Sequence, residues 1–216
     1  MTRVALAYPK IAGSREAPAV TGRCIAFEKY DGTNLHWVWE PELGWYAFGT
    51  RRDRFDFDPV GIAQFNAAHP GLEDAPGLFQ DSFATELDRI FRTHPVATEM
   101  TAFTEFLGPN SFAGMHKKDD IKQLILFDVA QGGRILDPVQ FLQDFGHLRG
   151  IARVVYQGKL TGLFTEDVRN GKYKVNEGVV CKGGTAENLW LVKVKTYAYM
   201  QRLKDAFAEN WENYWE

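Results

Sequence analysis

Hydrophobic residues along this chain fall mainly into short runs that are rich in aromatic and β-branched side chains and are broken by Gly, Pro and Asn. Runs of this kind are typical of β-strands bounded by turns. The pattern predicts seven strands, at 24–29, 34–39, 45–50, 97–106, 123–129, 178–182 and 189–195. Because strands and helices do not alternate regularly, the sheets are expected to be mainly antiparallel.

Helical periodicity marks two segments between the predicted strands. Over 82–93 the apolar side chains recur on one face, and Asp81 or Ser82 is a candidate N-cap. Farther along, Asp137 precedes Pro138, which is the usual order of a capping residue and a proline at the first helical position. Both helices are expected to flank the sheets.

The last part of the chain predicts a third helix. Leu203, Phe207 and Trp211 recur at intervals of four residues, so the segment 200–216 is expected to dock on the domain through one apolar face. No internal repeat, low-complexity stretch or Gly/Ser-rich linker divides the chain. Residues 1–216 are therefore predicted to form a single α+β domain, with mainly antiparallel sheets and flanking helices.

Composition narrows the class of protein. Of the 216 residues, 45% are hydrophobic, which is enough for a packed core. Cys24 and Cys181 are too few for a disulfide scaffold and show no zinc-ligand spacing, so both are interpreted as buried apolar residues. No apolar run is long enough to span a membrane, and the N-terminus lacks the pattern of a secretory signal. These features predict a cytoplasmic protein with no membrane partner.

The net charge is only −3, but the charges are unevenly distributed. Between Arg149 and Lys204 there are eleven Lys or Arg residues against four Asp or Glu, a local excess of +7 that leaves −10 for the rest of the chain. A basic region of this kind is a candidate site for the phosphates of a nucleic acid.

The stretch FEKYDGTNL, at 27–35, contains the first candidate for chemistry. Lys29 follows Ile25 and Phe27 at intervals of two, so its side chain is expected on the same strand face, directed toward a cleft or the core. Burial disfavours a charged amine and lowers its pKa, which would make Lys29 a nucleophile near neutral pH. The alternative is an ordinary surface hairpin around Asp31, because Lys-x-Asp-Gly is a common pattern.

Further stretches with charged or aromatic residues follow in order. Glu105 lies in TEFLG, near the end of a predicted strand, and Phe127 lies in LFDV. Glu177 and Lys182 lie at the two ends of EGVVCK, which is a short strand rich in valine. These stretches are far apart in sequence, so only the fold can bring them together.

The stretch KVK places Lys193 and Lys195 on one face of the last predicted strand. Two adjacent like charges repel each other, so this arrangement gains little unless an anion such as a phosphate lies between them. The alternative is the solvent-facing polar side of an edge strand.

In this order, EKYDGTN, TEFLG, LFDV, EGVVCK and KVK resemble the five nucleotidyltransferase motifs of ATP-dependent polynucleotide ligases. The GTN after the lysine and the Gly-Pro after TEFLG are most similar to the RNA ligase 2 type. The resemblance spans Lys29 to Lys195, which is 167 of 216 positions. It implies a ligase-type adenylation domain that uses ATP with Mg²⁺ or Mn²⁺.

The resemblance also implies roles for single residues. Lys29 would attack the α-phosphorus of ATP, expel pyrophosphate and hold AMP as a lysyl-AMP phosphoramidate. Glu105 would bind the ribose of the adenosine, and Phe127 would stack on the adenine. Glu177 would help to hold the divalent ion, and Lys182 would support the nucleotide site.

Five more positions enter the expected site by resemblance. Lys193 and Lys195 would hold the α-phosphate, with Lys195 counted among the catalytic residues. Glu28 and Asn34 are placed with the residues around ATP, and Asn34 would also act near the joining termini. Asp31 would be needed in the steps that follow self-adenylation.

Arg51 and Arg52 in GTRRDR complete the candidate site. Both are placed near the nucleotide, and one of them matches the motif that contacts the strand with the 5′-phosphate. The sequence does not determine which of the two makes that contact.

The resemblance implies an ATP-dependent RNA ligase that self-adenylates, transfers AMP to a 5′-phosphate end of RNA and joins this end to a 3′-hydroxyl. Only 21 residues follow Lys195, too few for the OB-fold that DNA ligases usually carry there, so no C-terminal OB-fold is expected. An end-healing kinase or phosphatase is an expected partner. The alternatives are a DNA nick-joining ligase or other nucleotidyltransferase on the same core, and a nucleic-acid-binding module without catalysis.

Overall fold

The fold was determined as a computed structural model, which describes residues 2–4, 6–15, 22–94, 98–108, 119–207 and 209. Within these residues the strands are β1 (Thr2–Arg3), β2 (Ala12–Gly13), β3 (Arg23–Lys29), β4 (Thr33–Glu40), β5 (Gly44–Thr50), β6 (Asp53–Asp56), β7 (Met100–Leu107), β8 (Gln123–Gln131), β9 (Arg134–Ile135), β10 (Val154–Lys159), β11 (Gly178–Gly183) and β12 (Trp190–Lys195). The helices are α1 (Pro59–Ala68), α2 (Ala75–Phe79), α3 (Thr85–Thr93), α4 (Pro138–Phe145), α5 (Gly162–Arg169) and α6 (Tyr197–Phe207).

The described strands form two sheets. The larger has the order β1-β6-β5-β4-β7-β8-β9, and the smaller has the order β10-β3-β11-β12-β2. These pairs of strands are antiparallel except β12 and β2, which are parallel. The predicted α+β class with mainly antiparallel sheets is therefore confirmed. Each of the seven predicted strands forms, although Ala97 lies outside the described residues.

The main hydrophobic core lies between the larger sheet and the helices that cover it. Trp37 on β4 is fully buried, and its ring stacks on Phe79 at a centroid distance of 4.0 Å and on Phe48 at 5.4 Å. Its indole N–H donates to Oγ1 of Thr104 at 2.9 Å, so the burial leaves this polar group satisfied. Burial of each such aromatic side chain stabilises the fold by about 2–3 kcal/mol.

A second hydrophobic core lies on one face of the smaller sheet. Cys24, Cys181 and Val192 are buried there against Phe164 and Val168 of α5. Both cysteines are free thiols, which confirms their interpretation as small buried residues. The other face of this sheet is consequently available for a site.

The predicted helices form with one correction. Asp137 caps α4 by accepting from the backbone N–H groups of Val139 and Gln140, as expected. In contrast, Asp81 and Ser82 do not cap a helix, because both lie inside a π-helical segment, Gln80–Ala84, that joins α2 to α3. The helical backbone begins earlier than predicted because the buried face extends back to Phe79 and beyond.

The C-terminal helix begins at Tyr197, three residues before the predicted start. Oγ1 of Thr196 accepts from the backbone N–H of Tyr199 at 3.1 Å, which satisfies one of the free donors at the helix start. Leu203 is fully buried, in agreement with a docking face, whereas Trp211 lies outside the described residues. Over the described part of the chain, none of the helices has the length and apolarity required to cross a membrane.

The chain passes from the smaller sheet to the larger one immediately after Lys29. β3 ends at this residue, and β4 begins at Thr33 in the other sheet. Gly32 is required in the connecting turn, because a Cβ there would lie 2.2 Å from the backbone oxygen of Phe106. The crossover places Lys29 at the junction of the two sheets.

Candidate functional site

A cavity of about 610 Å³ lies at this junction. Its volume is in the range of small-molecule sites. All twelve residues that the sequence placed in the candidate site line it: Glu28, Lys29, Asp31, Asn34, Arg51, Arg52, Glu105, Phe127, Glu177, Lys182, Lys193 and Lys195. The fold thus brings together stretches that span most of the chain.

Sheet register explains how two lysines come to share the cavity. Lys29 on β3 pairs with Gly178 on β11, which in turn pairs with Lys195 on β12. A Cβ at Gly178 would lie 2.0 Å from the backbone oxygen of Val194, so only glycine permits this approach of β11 to β12. Residues in register project to the same face, and the middle position of this row carries no side chain.

Glu177 connects the two lysines. Its side chain is 3% exposed, and its Oε2 accepts from Nζ of Lys29 at 2.8 Å. Its Oε1 lies 3.7 Å from Nζ of Lys195. The buried carboxylate lies between the two ammonium groups and holds them close together in the cavity. Two ammonium groups and one carboxylate leave a net positive charge there.

The structure corrects the expected pKa of Lys29. Burial lowers this pKa, but the carboxylates of Glu177, Glu105 and Asp31 outweigh burial and raise it above its ordinary value. The prediction of a lowered pKa was wrong because Glu177 and Glu105 reach the amine from distant parts of the chain. In this state Lys29 is a charged partner of Glu177, and 26% of its side chain remains exposed to the cavity.

Lys195 has the opposite shift. Burial lowers its pKa to about 8, repulsion from Lys29 and Lys193 adds to this effect, and attraction to Glu177 opposes it. Repulsion between neighbouring cations is reduced when an anion binds between them. An anion such as a phosphate bound between these cations would reduce this repulsion; that Lys193 and Lys195 hold a phosphate stays a prediction.

Glu105 and Asn34 form the opposite wall, on the larger sheet. They pair directly across β7 and β4, and Oε1 of Glu105 accepts from the backbone N–H of Gly32 at 3.1 Å. Burial, followed by repulsion from other carboxylates, raises the pKa of Glu105 to about 7. Oδ1 of Asn34 is buried and accepts no hydrogen bond from the described residues. An unsatisfied buried oxygen at a cavity wall is a candidate contact for a ligand.

Phe127 presents a half-buried aromatic ring to the cavity. Behind it, the ammonium of Lys182 donates to the backbone oxygen of Phe127 at 2.7 Å and to Oδ1 of Asp128 at 2.6 Å. Burial raises the pKa of Asp128 and lowers that of Lys182, while their mutual attraction opposes both shifts. Lys182 thus supports the cavity wall through Asp128 and the backbone.

The two candidate arginines differ in their contacts. Arg51 donates from Nε to the backbone oxygen of Tyr8 at 3.1 Å and from Nη2 to that of Pro9 at 2.7 Å. Arg52 is exposed at the rim of the cavity. Arg51 therefore holds a neighbouring segment in place, a role that its sequence position did not indicate.

The sequence did not indicate several residues in and around the cavity, among them Tyr8 and Arg153. Tyr8 lines the cavity and is 4% exposed, although it precedes every motif. Arg153 donates from Nε to Glu28 at 2.8 Å, and so neutralises a carboxylate at the cavity edge. No local pattern marks either residue, because each depends on contacts more than a hundred positions away.

The donor set suits one class of metal ion. Among the described residues there is no group of three or more His, Cys, Asp or Glu side chains that could enclose an ion. Mg²⁺ is usually held by one or two carboxylates together with substrate phosphates and water. Glu177, a buried carboxylate in a cavity with room for phosphates, fits that pattern.

Comparison with known proteins gives a likeness in structure but not in sequence. Neither the models of known protein families nor the curated proteins match this chain. An archaeal ATP-dependent RNA ligase superimposes with a TM-score of 0.65 and 18% identity, covering 97% of this chain and 54% of that one. The chain thus spans about half the length of that ligase.

Two structures of the Naegleria gruberi RNA ligase are also similar. The structure with pyrophosphate has a TM-score of 0.58 and 13% identity, covering 94% of this chain and 63% of that one. A mutant structure with ATP and Mn has a TM-score of 0.57 and 14% identity, covering 85% and 52%. The chain therefore has a fold similar to that of part of the archaeal ATP-dependent RNA ligase and of the Naegleria gruberi RNA ligase.

Proposed function

We propose that this chain is the adenylating core of an ATP-dependent RNA ligase, with Lys29 as the nucleophile. The proposal is supported above all by the meeting of Lys29, Glu177 and Lys195, which come from three separate motifs, within one cavity. It includes the proposal that 1–216 acts as a single domain, because both sheets contribute to the cavity.

In the first step the amine of Lys29 attacks the α-phosphorus of ATP. It loses one proton to solvent before the attack and a second as the N–P bond forms, while the bond from the α-phosphorus to the pyrophosphate oxygen breaks. Lys193 and Lys195, which line the cavity from β12, would neutralise the nonbridging oxygens of the α-phosphate. Positioning and charge neutralisation are the main requirements of such transfers.

The adenosine is proposed to lie between the two sheets. Phe127 would stack on the base, a contact of about 1–3 kcal/mol, and Glu105 would accept from the ribose hydroxyls. Glu28, which is paired with Arg153, would lie at the edge of this half of the site. Lys182, which is paired with Asp128, would support its wall. Glu177 would hold Mg²⁺ or Mn²⁺, and the bound ion would supply neutralisation of the phosphate charge.

Two further transfers complete the proposed reaction. An oxygen of the RNA 5′-phosphate attacks the phosphorus of the bound AMP, the N–P bond breaks and Lys29 regains its protons. The 3′-hydroxyl then attacks the 5′-phosphate, forms the phosphodiester and releases AMP and one proton. Asp31 and Asn34 would orient the reacting ends, and Arg51 or Arg52 would contact the strand that carries the phosphate.

The direct test is self-adenylation. The protein is incubated with a divalent ion and ATP labelled on its α-phosphate, and acid-labile label on the protein is measured. Lys29→Ala is expected to abolish the label, whereas Lys159→Ala, which removes an exposed lysine outside the cavity, leaves it unchanged. Equal label on the wild type and on Lys29→Ala would reject the proposal.

The substrate is tested separately. Nicked duplexes with RNA or DNA on the 3′-hydroxyl side are compared, and preferred sealing of the RNA nick is expected. Preferred sealing of the DNA nick would favour the DNA-joining alternative. Action in the cytoplasm, on ends prepared by a kinase or phosphatase, is part of the same proposal.

A further inference from the structure

The N-terminal segment 6–11 forms part of the cavity wall, before any of the motif residues in sequence. Its position is fixed by the Arg51 side chain, which donates to the backbone oxygens of Tyr8 and Pro9. The backbone N–H of Ala7 also donates to the oxygen of Arg51 at 2.9 Å. These three hydrogen bonds to Arg51 hold the backbone of the segment in place, so the segment is a fixed part of the cavity wall.

Tyr8 connects this segment to the floor of the site. Its hydroxyl donates to Oδ2 of Asp128 at 2.5 Å, and the other oxygen of Asp128 accepts from Lys182 at 2.6 Å. All three side chains are nearly inaccessible, at 4%, 1% and 2% exposed. Hydrogen bonds in such a dry network are strong, and an unsatisfied member is costly.

The same network surrounds Phe127. The ring of Tyr8 meets the ring of Phe127 edge-on, at a centroid distance of 5.2 Å and an interplanar angle of 86°. It meets Phe103 in a similar way, at 5.1 Å and 67°. The backbone oxygen of Phe127 accepts from Lys182, and the same ammonium lies 5.9 Å from the centroid of the Phe127 ring. Tyr8 therefore contacts the ring from the side, while Lys182 anchors the backbone that carries it.

We propose that Tyr8 is a positioning residue that fixes the orientation of Phe127 for stacking against the base of the nucleotide. This inference rests on the proposed function, because it assumes that a planar nucleobase occupies the cavity next to Phe127. Without the hydroxyl, Asp128 loses one donor and the support of Phe127 loosens. Loss of this support should weaken binding of the base, whereas binding of the phosphates near Lys29 and Lys195 should not change.

Tyr8→Phe keeps the ring and removes only the hydroxyl. It is expected to raise the KM for ATP in self-adenylation by about threefold to tenfold, with less than a twofold change in kcat. Tyr8→Met, which fills the space without a ring, is expected to raise KM further. The matched control is Tyr156→Phe, because that hydroxyl donates to the backbone oxygen of Lys159 and lies outside the cavity.

Inhibition separates a role at the base from a general loss of structure. With Tyr8→Phe, the inhibition constant of adenosine is expected to rise as much as KM, while that of inorganic pyrophosphate stays the same. In a Phe127→Leu background the effect of Tyr8→Phe is expected to disappear, because Tyr8 acts through that ring. Circular dichroism at the assay temperature shows whether each variant is folded.

The outcomes are distinct. Wild-type protein that forms no adenylate would overturn both the proposed function and this inference. Adenylate formation by the wild type with unchanged adenosine inhibition in Tyr8→Phe and Tyr8→Met would overturn the inference alone. Equal changes for adenosine and pyrophosphate, or an unchanged effect in the Phe127→Leu background, would also overturn it.

Discussion

The ion pair between Lys182 and Asp128 allows a sharp prediction, because both side chains are almost completely buried. The ammonium contacts Oδ1 of Asp128 at 2.6 Å and lies 4.7 Å from the ring centroid of Phe27 and 5.6 Å from that of Phe141. The exposed fractions of the two charged side chains are 2% and 1%. Water can therefore not replace a lost partner.

The expected magnitude follows from this burial. Asp128→Asn removes the negative charge and leaves the ammonium of Lys182 buried without a counter-ion, which is expected to lower the free energy of unfolding by about 3–5 kcal/mol. Replacing both partners with apolar residues, as in Lys182→Met with Asp128→Leu, is expected to restore much of that loss. The residual cost includes the hydrogen bond from Tyr8.

The control is an exposed pair with similar geometry. Lys172 contacts Asp167 at 2.8 Å, but its side chain is 65% exposed, so Lys172→Met is expected to leave the free energy of unfolding nearly unchanged. Urea denaturation followed by circular dichroism measures all four proteins. A change of less than 1 kcal/mol for Asp128→Asn would refute the reasoning, because it would mean that the pair is accessible to water.

Three further predictions follow from the same geometry. Burial raises the pKa of Glu105 from 4.5 to about 7, so the folded state binds this proton more tightly than the unfolded state does. As the pH rises from 4.5 to about 7, the wild type should therefore lose up to about 3 kcal/mol of stability relative to Glu105→Gln. Urea denaturation midpoints of the two proteins that change in parallel with pH would contradict this. Tyr199 donates to Oδ1 of Asp31 at 3.0 Å. Tyr199→Phe should therefore slow the single-turnover joining of RNA by preformed adenylate several-fold more than it slows self-adenylation. Equal slowing of both reactions would argue against a role of this contact in the later steps. Chelation by EDTA should abolish adenylate formation and added Mn²⁺ should restore it, whereas full activity in EDTA would exclude a metal at Glu177.

Local pattern was sufficient for the strands that carry the candidate site. Alternating or continuous apolar runs located β3, β11 and β12, and spacing of two placed Lys29 with Phe27 and Lys193 with Lys195 on the cavity face. Asp137 was recognised as a cap because its partners are only two and three residues away. Signals of this kind act within a few positions and are visible in sequence.

Other features depend on contacts between distant residues and had no local signal. β10 pairs with β3 across more than a hundred positions, and Tyr8 reaches Asp128 over 120 positions. The direction of the pKa shift of Lys29 could not be predicted from the sequence, because it depends on Glu177, which is 148 positions away. Helix α1 was missed because only Gly61 and Phe65 are buried in it, so its apolar face is narrow.

The central claim, that Lys29 becomes covalently bonded to AMP, is tested most directly by mass spectrometry of the protein after incubation with ATP and Mg²⁺. The account predicts one AMP adduct per chain, mapped to the peptide that contains Lys29 and released by acid. An adduct on another residue, or an unmodified chain under conditions in which the protein is folded and binds ATP, would contradict it.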